Sequence, residues 1–364
     1  MNKAKVVSLF SGGGGLDLGF IKAGYKIVWA IDSEKNTVET YKANFGNHII
    51  CADINKISVS VLPKCDIVIG GPPCQSFSLA GNRKTDDVRG QLIWKYLEII
   101  EYLQPKVFLF ENVVGLLSAK NQIGEKVYPL LTKAFENLGY NIKSDIINAV
   151  DYGVPQRRKR VFIVGIKGSN TFSFPSPTHG EKSRSGEKVV SVSDALSDLP
   201  KSTDDINKFL EYSNEASNAY QIEMRINSNG VTEHFNPAIS KLDEYIINHV
   251  RPGGNYMDIP PEVSSKRIRR LQRDGGHTTC YGRLRSDMPS YTINTYFNRP
   301  NVGCNIHYEE NRLITVREAL RLQSFPDNYI IVSTNKKSRN SIVGNAVPPK
   351  VASIFAETLS EYLN

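Results

Sequence analysis

The chain has 364 residues, 40% hydrophobic and 23% charged, which suits a soluble globular protein too long for a single compact core. Lysine and arginine number 45 against 37 aspartate and glutamate, a net charge of +8 that fits a polyanionic partner without requiring one. No run of about 18 apolar residues occurs, so no membrane-spanning helix is expected. The first residues lead straight into a strand-like segment, leaving no room for a signal peptide and pointing to the cytoplasm. The five cysteines, at 51, 65, 74, 280 and 304, form no C-x-x-C pair, which argues against a disulfide framework and against a zinc site.

Apolar runs at 6–10, 27–31, 66–69, 107–110 and 161–166 alternate with amphipathic stretches through about residue 167. That alternation predicts βαβ units on a mainly parallel, doubly wound α/β sheet. The first run ends in Ser8-Leu9-Phe10-Ser11-Gly12-Gly13-Gly14-Gly15-Leu16-Asp17. Glycines at a strand-to-helix turn let the backbone approach a ligand closely, and Asp32, about 20 residues on, is placed to accept ribose hydroxyls. A strict G-x-G-x-x-G fails in every frame, so the loop suits an adenosine-bearing cofactor without pyrophosphate better than NAD.

Gly70-Gly71-Pro72-Pro73-Cys74-Gln75 follows the 66–69 run. Its prolines stiffen the turn and fix where Cys74 points, at the carboxyl edge of the sheet where α/β ligands sit. Leu92, Ile93, Tyr96, Leu97, Ile100 and Leu103 recur at helical spacing until Pro105 stops them. Phe110-Glu111-Asn112-Val113 puts an acid at the end of a strand, at the same edge as Cys74. Gln156-Arg157-Arg158-Lys159-Arg160 enters the 161–166 strand with four positive charges, as a phosphate clamp or an ordinary surface patch.

Beyond a boundary near 167 the texture becomes rich in Ser, Asn, Pro and acids. Residues 168–280 hold 13 Lys/Arg against 15 Asp/Glu, so any nucleic-acid footprint there is local. Its candidate is the basic run 266–273, which as a helix could equally be a solvated face. Thr315-Val-Arg-Glu318 opens a helix with a capping box, and Pro348-Pro349 starts the last amphipathic helix.

Gly-Pro-Pro-Cys-Gln, Glu-Asn-Val, Gln-x-Arg-x-Arg and Gly-Asn-Ala-Val-Pro-Pro, in this order, resemble the DNA (cytosine-5) methyltransferases of bacterial restriction-modification type. The resemblance runs from about residue 6 to 354 and includes Phe10-x-Gly12-x-Gly14 and the stretch 313–326. It implies a Rossmann-like, mixed but mainly parallel methyltransferase sheet over 1–167. A smaller target-recognition domain follows at 168–280, and at 281–364 a hinge and a return of the C-terminal segment to the catalytic domain.

The resemblance makes Cys74 the nucleophile that adds to carbon 6 of a flipped-out cytosine. Glu111, kept protonated by a dry pocket, bonds N3, and Arg158 and Arg160 contact the base O2 and the site framework. For S-adenosylmethionine and its product S-adenosylhomocysteine it implies Phe10, Gly12, Gly14, Leu16, Asp32, Asp53, Ile54, Pro73, Leu92, Asn345 and Val347. Asp32 stands where the family often has Glu. A mobile loop at 78–90, with Ser78, Arg83, Lys84 and Arg89, closes on DNA, while Lys266, Arg267, Arg269 and Arg270 meet phosphates. Thr278, Tyr281 and Arg283 are loose candidates for base reading. No metal is implied. The implied partners are double-stranded DNA, met by a cytoplasmic monomer at the nucleoid, and a cognate endonuclease where a restriction system is present.

A tRNA cytosine-5 methyltransferase is disfavoured by the absence of a Cys-Phe-Thr element. A DNA-binding protein that has lost its chemistry is disfavoured by intact Cys74, Glu111 and Arg160, and a nicotinamide oxidoreductase by the missing third glycine.

Overall fold

The computed structural model describes residues 3–73, 90–121 and 123–363. They fall into two units, one of Met1–Asn148, Lys159–Ser176 and Val351–Asn364, the other of Ala149–Arg158 and Pro177–Lys350. The described residues of the first unit run β1 (Lys5–Leu9), α1 (Gly15–Lys22), β2 (Lys26–Asp32), α2 (Lys35–Phe45), β3 (Ile49–Cys51), β4 (Ile67–Gly70), α3 (Gly90–Leu103), β5 (Val107–Val113), α4 (Val127–Asn137), β6 (Tyr140–Asn148) and β7 (Lys159–Lys167). The strands form one sheet in the order β3-β2-β1-β4-β5-β7-β6. Neighbours through β5 are parallel. Strand β7, joined to β6 without a crossover helix, runs antiparallel to both β5 and β6.

The apolar runs become strands because both faces of the sheet are covered. On one face Leu9, Val68, Phe108 and Phe110 pack against Ile93, Tyr96 and Ile100 of α3 and Leu131 and Phe135 of α4. Each such side chain taken out of water contributes about 1.5–3 kcal/mol. On the other face Phe162 stacks on Phe355 of the last helix (Pro349–Leu359), ring centroids 4.5 Å apart. Tyr25 there donates its hydroxyl proton to the Ala356 carbonyl at 2.8 Å. The chain order reverses between β1 and β4, the switch point at which α/β proteins open a ligand crevice at the strands' carboxyl ends.

One strand is longer than its apolar run. Glu111 does not end β5; the strand continues to Val113, because β7 still pairs with it where β4 has stopped at Gly70 opposite Phe110.

The second unit is mostly turns and short elements among its described residues: α5 (Val192–Leu196), β8 (Leu210–Glu211), α6 (Ala219–Met224), β9 (Gly230–Val231), α7 (Lys241–Ile247), α8 (Lys266–Asp274), β10 (Gly282–Arg283), β11 (Cys304–Ile306), α9 (Val316–Leu322) and α10 (Lys336–Asn345). Buried ionic contacts hold it. Arg321, fully buried, bonds Asp198 at 2.9 Å and Asp327 at 2.6 Å, and Arg225 reaches Asp198 at 2.6 Å. Helix α9 carries both halves of its capping box: Thr315 Oγ accepts from the Glu318 amide at 3.1 Å, and a Glu318 oxygen accepts from the Thr315 amide at 2.7 Å.

Arg283, a loose candidate for base reading on sequence grounds, is instead a structural residue. It is buried and donates to the carbonyls of Ile247, Val250, His307 and Glu310, carbonyls that an irregular backbone would otherwise leave unpaired. Tyr281 is likewise buried. Among the described residues no helix is long and apolar enough to cross a membrane.

Candidate active site

The loop after β1 is backbone-driven. Gly12 and Gly14 take left-handed conformations (φ +55° and +83°), and so does Phe10 at +55°, a strained state for a bulky residue that costs about 1–3 kcal/mol. Asp32, at the end of β2, closes the loop. One carboxylate oxygen accepts from the Gly12 amide at 2.9 Å and the other from the Glu34 amide at 2.9 Å. Burial pushes the Asp32 carboxyl above its usual range, opposed by those two amides. In sheet register Cys51 of β3 lies beside Asp32. Two residues on, Asp53 caps a short 3-10 turn (Ile54–Lys56) by accepting from the Asn55 amide at 3.0 Å. Leu16 and Ile54 are buried, and Leu92 packs on the core from α3. Asp32, the glycine loop and the Asp53 turn thus share the carboxyl edge of β1, β2 and β3.

Strand β4 delivers Gly70-Gly71-Pro72-Pro73 to the same edge. A Cβ on Gly71 would lie 2.7 Å from a Glu111 carboxylate oxygen and 3.3 Å from the Glu111 carbonyl oxygen, so any side chain there would displace the Glu111 carboxyl. The Asn112 side-chain amide donates to the Pro72 carbonyl at 2.9 Å, tying the proline turn to the next strand. Sequence reasoning gave Asn112 no role. Its one available signal is a polar amide in a buried stretch of strand.

Glu111 is 8% exposed. It faces Phe162 in register while Arg160 faces Val113, so the two are diagonal neighbours on one face of the β5–β7 pair. Arg160 Nε lies 3.1 Å from Glu111 Oε1. Cys74, Ser78, Arg83, Lys84 and Arg89 lie outside the described residues.

The alternation of Gln156-Arg157-Arg158-Lys159-Arg160 separates its charges: Arg157 and Lys159 are exposed, while Gln156 and Arg158 are buried. Arg158 belongs to the second unit and donates to the Ile293 carbonyl at 3.0 Å and the Gly344 carbonyl at 2.9 Å. Gln156 grips the same segment, accepting from the Ile293 amide at 2.9 Å and donating to the Leu322 carbonyl at 3.2 Å. Of the two arginines, Arg158 is therefore anchored to backbone and Arg160 to the buried carboxylate. Asn345 is exposed, bonding Ser341, and Val347 is buried just ahead of the last helix.

The basic run is α8. Its cap, Ser265, accepts from the Ile268 amide at 3.2 Å. Ile268 faces the core while Lys266, Arg267, Arg269 and Arg270 are exposed, with Arg270 and Arg273 beside Asp274. Among the described residues no cluster of His, Cys, Asp and Glu could hold a metal ion.

The parallel sheet with an antiparallel β7, and a glycine loop and acid at the switch point, together define a methyltransferase fold. Comparison with known proteins fixes the family. Residues 4–361 match the C-5 cytosine-specific DNA methylases. The chain is 36% identical to the type II methyltransferase M.FnuDI of Fusobacterium nucleatum, over 99% of this chain and 95% of that protein. It is 35% identical to the type II methyltransferase M.NgoFVII of Neisseria gonorrhoeae, over 96% and 84%. Among solved structures, a protein of an E. coli prophage described as a DNA modification methyltransferase superposes with a TM-score of 0.75 at 26% identity, covering all of both chains. The Dnmt2 methyltransferase of S. pombe shares the fold, with a TM-score of 0.61 at 21% identity over all of both chains. The chain belongs to the C-5 cytosine-specific DNA methylase family and is a DNA (cytosine-5) methyltransferase.

Proposed function

We propose that the protein methylates carbon 5 of a cytosine extruded from duplex DNA, through a covalent bond to Cys74, with S-adenosylmethionine as donor. The observation that carries this reading is the Glu111–Arg160 pair, buried at 3.1 Å beside Gly71, three residues before Cys74 in the chain.

Carbon 5 of cytosine is a weak nucleophile. Attack of the Cys74 thiolate on carbon 6 pushes electron density into the ring, and N3 takes a proton from Glu111, which acts as the acid and takes that proton back when the adduct collapses. Glu111 meets N3, and Arg160 holds Glu111 and faces the O2 where negative charge builds. Arg158 acts one step back, fixing residues 293 and 344. S-adenosylmethionine supplies the electrophilic methyl group. Loss of the carbon 5 proton and departure of Cys74 restore the aromatic ring.

The residues at the switch point fit that donor. The Asp32 carboxylate accepts from the Gly12 and Glu34 amides through different oxygens and, with up to four acceptor sites, retains capacity for a ribose hydroxyl. Left-handed Gly12 and strained Phe10 bring bare backbone to the ligand, with Gly14, Leu16, Asp53, Ile54, Pro73 and Leu92 as the remaining lining residues of the first unit.

Extrusion of the base costs a few kcal/mol, offset by contacts that fill the gap; we assign these to Ser78, Arg83, Lys84 and Arg89. The second unit reads the DNA sequence, and α8 holds phosphates through Lys266, Arg267, Arg269 and Arg270. The type II relatives support a role in restriction-modification; our reading adds a monomer working in the cytoplasm on nucleoid DNA, with an endonuclease of the same specificity where one is encoded. The test is a duplex carrying 5-fluorocytosine at the target position, which bisulfite sequencing of expressing cells identifies. With the methyl donor present, the protein should become covalently trapped on it through Cys74, and a failure to trap would refute the adduct.

A further inference from the structure

Asp17 is a carboxylate that the proposed chemistry leaves unused. It lies in the first turn of α1 and is fully buried. Ser8 Oγ donates to one of its oxygens and the Tyr41 hydroxyl to the other, both at 2.9 Å. The chain of contacts continues both ways. Ser8 Oγ is 2.9 Å from Ser11 Oγ in the glycine loop, and the Tyr41 oxygen is 3.0 Å from His48 Nε2. Since the Tyr41 proton points to Asp17, His48 must donate from Nε2. Burial lowers the His48 pKa and keeps that ring neutral at pH 7.

Among the described residues, the groups bonded to the carboxyl are uncharged: Ser8 from β1, Tyr41 from α2 with His48 behind it, and the Asp17 amide. Among the described residues no lysine or arginine pairs with Asp17, and burial raises its pKa to about 6, with the bonds from Ser8 and Tyr41 pulling the other way. It is still ionised at pH 7. A buried carboxylate without a counter-ion is costly, and such charges are normally paired. This one is tied through Ser8 and Ser11 to the loop assigned to a donor carrying positive charge at sulfur and at its amino group.

We propose that Asp17 is the counter-charge of the cofactor loop, a specificity-determining positioning residue that favours ligands with a cation at the sulfur and amino end over neutral adenosine compounds. It need not touch the ligand, because Coulombic attraction decays slowly in a water-poor interior. The inference rests on reading the loop as the S-adenosylmethionine site. It adds to that reading a residue that distinguishes the donor from its uncharged relatives.

Calorimetric binding to Asp17→Asn tests it with three ligands that share adenosine. Sinefungin carries an amine in place of the methylated sulfonium, S-adenosylhomocysteine is a zwitterion with a neutral sulfur, and 5′-methylthioadenosine has no amino-acid end. Asparagine keeps the size of the side chain, and its amide can donate to Ser8, which can in turn donate to Ser11, so the fold is retained. Sinefungin should lose about tenfold in affinity, S-adenosylhomocysteine less, and 5′-methylthioadenosine nothing. Equal losses for all three, or none, would overturn the proposal. Tyr41→Phe, which removes a hydrogen bond but keeps the charge, should preserve the wild-type ranking; loss of that ranking would make the network merely structural.

The unmodified protein offers the same test without a substitution. Its preference for sinefungin over 5′-methylthioadenosine should shrink between pH 8 and pH 5 as Asp17 takes up a proton, with any protonation of His48 acting in the same direction. Asp32 faces the adenosine part common to both ligands, so its titration cancels in that ratio. A constant ratio would count against Asp17. If the wild-type protein binds none of the three, the cofactor reading itself fails, and that result cannot be mistaken for unselective binding.

Discussion

Arg160 and Glu111 meet diagonally across β5 and β7, with 3.1 Å between Nε and Oε1, both largely out of solvent. Burying a charge pair is favourable only when each partner satisfies the other, and removing one leaves an uncompensated charge. Glu111→Gln keeps the shape and removes the acid that meets N3. It should lower kcat by about 10²–10³-fold, the loss seen when one preorganised group at a developing charge is removed. The unfolding midpoint should fall as well, because Arg160 keeps its bond to the Lys159 carbonyl at 2.8 Å but loses its carboxylate partner. Single-turnover methylation under saturating DNA checks this; a kcat within threefold of wild type would remove Glu111 from the chemistry.

Arg158 makes the complementary prediction. Its guanidinium bonds the Ile293 and Gly344 carbonyls and is 1% exposed. Arg158→Met should strand both acceptors and destabilise the fold by about 2–4 kcal/mol. Denaturant unfolding and single-turnover methylation of this variant beside Arg160→Met separate the roles. Both should lower the midpoint, since Arg160→Met leaves the Glu111 carboxyl unpaired, but Arg160→Met should cut the rate of the folded protein far more than Arg158→Met; the reverse ranking of rates would exchange their assignments.

The parts legible in the sequence were those whose cause is local. Residues 6–10, 27–31, 66–69, 107–110 and 161–166 read as strands because burial on both faces demands unbroken apolar runs. Strand β6 gave no such signal. Tyr140–Asn148 lies at the sheet edge with residues such as Lys143 and Asp145 exposed or half-buried along it, and β3 is only three residues long. The glycine loop, Glu111 and the arginines of 156–160 were legible as contiguous motifs. The contacts that give them meaning were not, since Arg158 to Ile293 spans 135 residues and Tyr41 to Asp17 joins two helices. The second unit was least legible. Its order rests on buried arginines such as Arg283 and Arg321, which leave no periodic trace and which, read singly, look like surface charges or DNA contacts.

Helix α8 presents Lys266, Arg267, Arg269 and Arg270 to solvent while Ile268 anchors it. If all four meet phosphates, replacing them with glutamine should flatten the plot of log affinity against log salt by about 3–4, at roughly 0.9 per contact. Only the affinity should fall, equally for all DNA sequences. Binding titrations between 50 and 200 mM salt check it, and an unchanged slope would show that α8 does not touch the backbone of DNA.

Asp17 should also leave a mark on stability, opposite in sign to the usual carboxylate. Its folded-state pKa, about 6, lies above the ordinary aspartate value of 3.8, so the folded state holds its proton longer than the unfolded chain does. Between those two values the unfolded state binds fewer protons, and stability falls as pH rises. Above pH 6 the cost is complete. A shift of about two pKa units at about 1.4 kcal/mol each sets it near 3 kcal/mol at most. Asp17→Asn escapes this term, so its unfolding free energy should gain on wild type between pH 4 and pH 6 and hold that lead at pH 8. Denaturant melts of both proteins at pH 4, 6 and 8 make the measurement. A lead that fails to grow with pH would mean that Asp17 is not held as a buried anion, and the counter-charge role would fall with it.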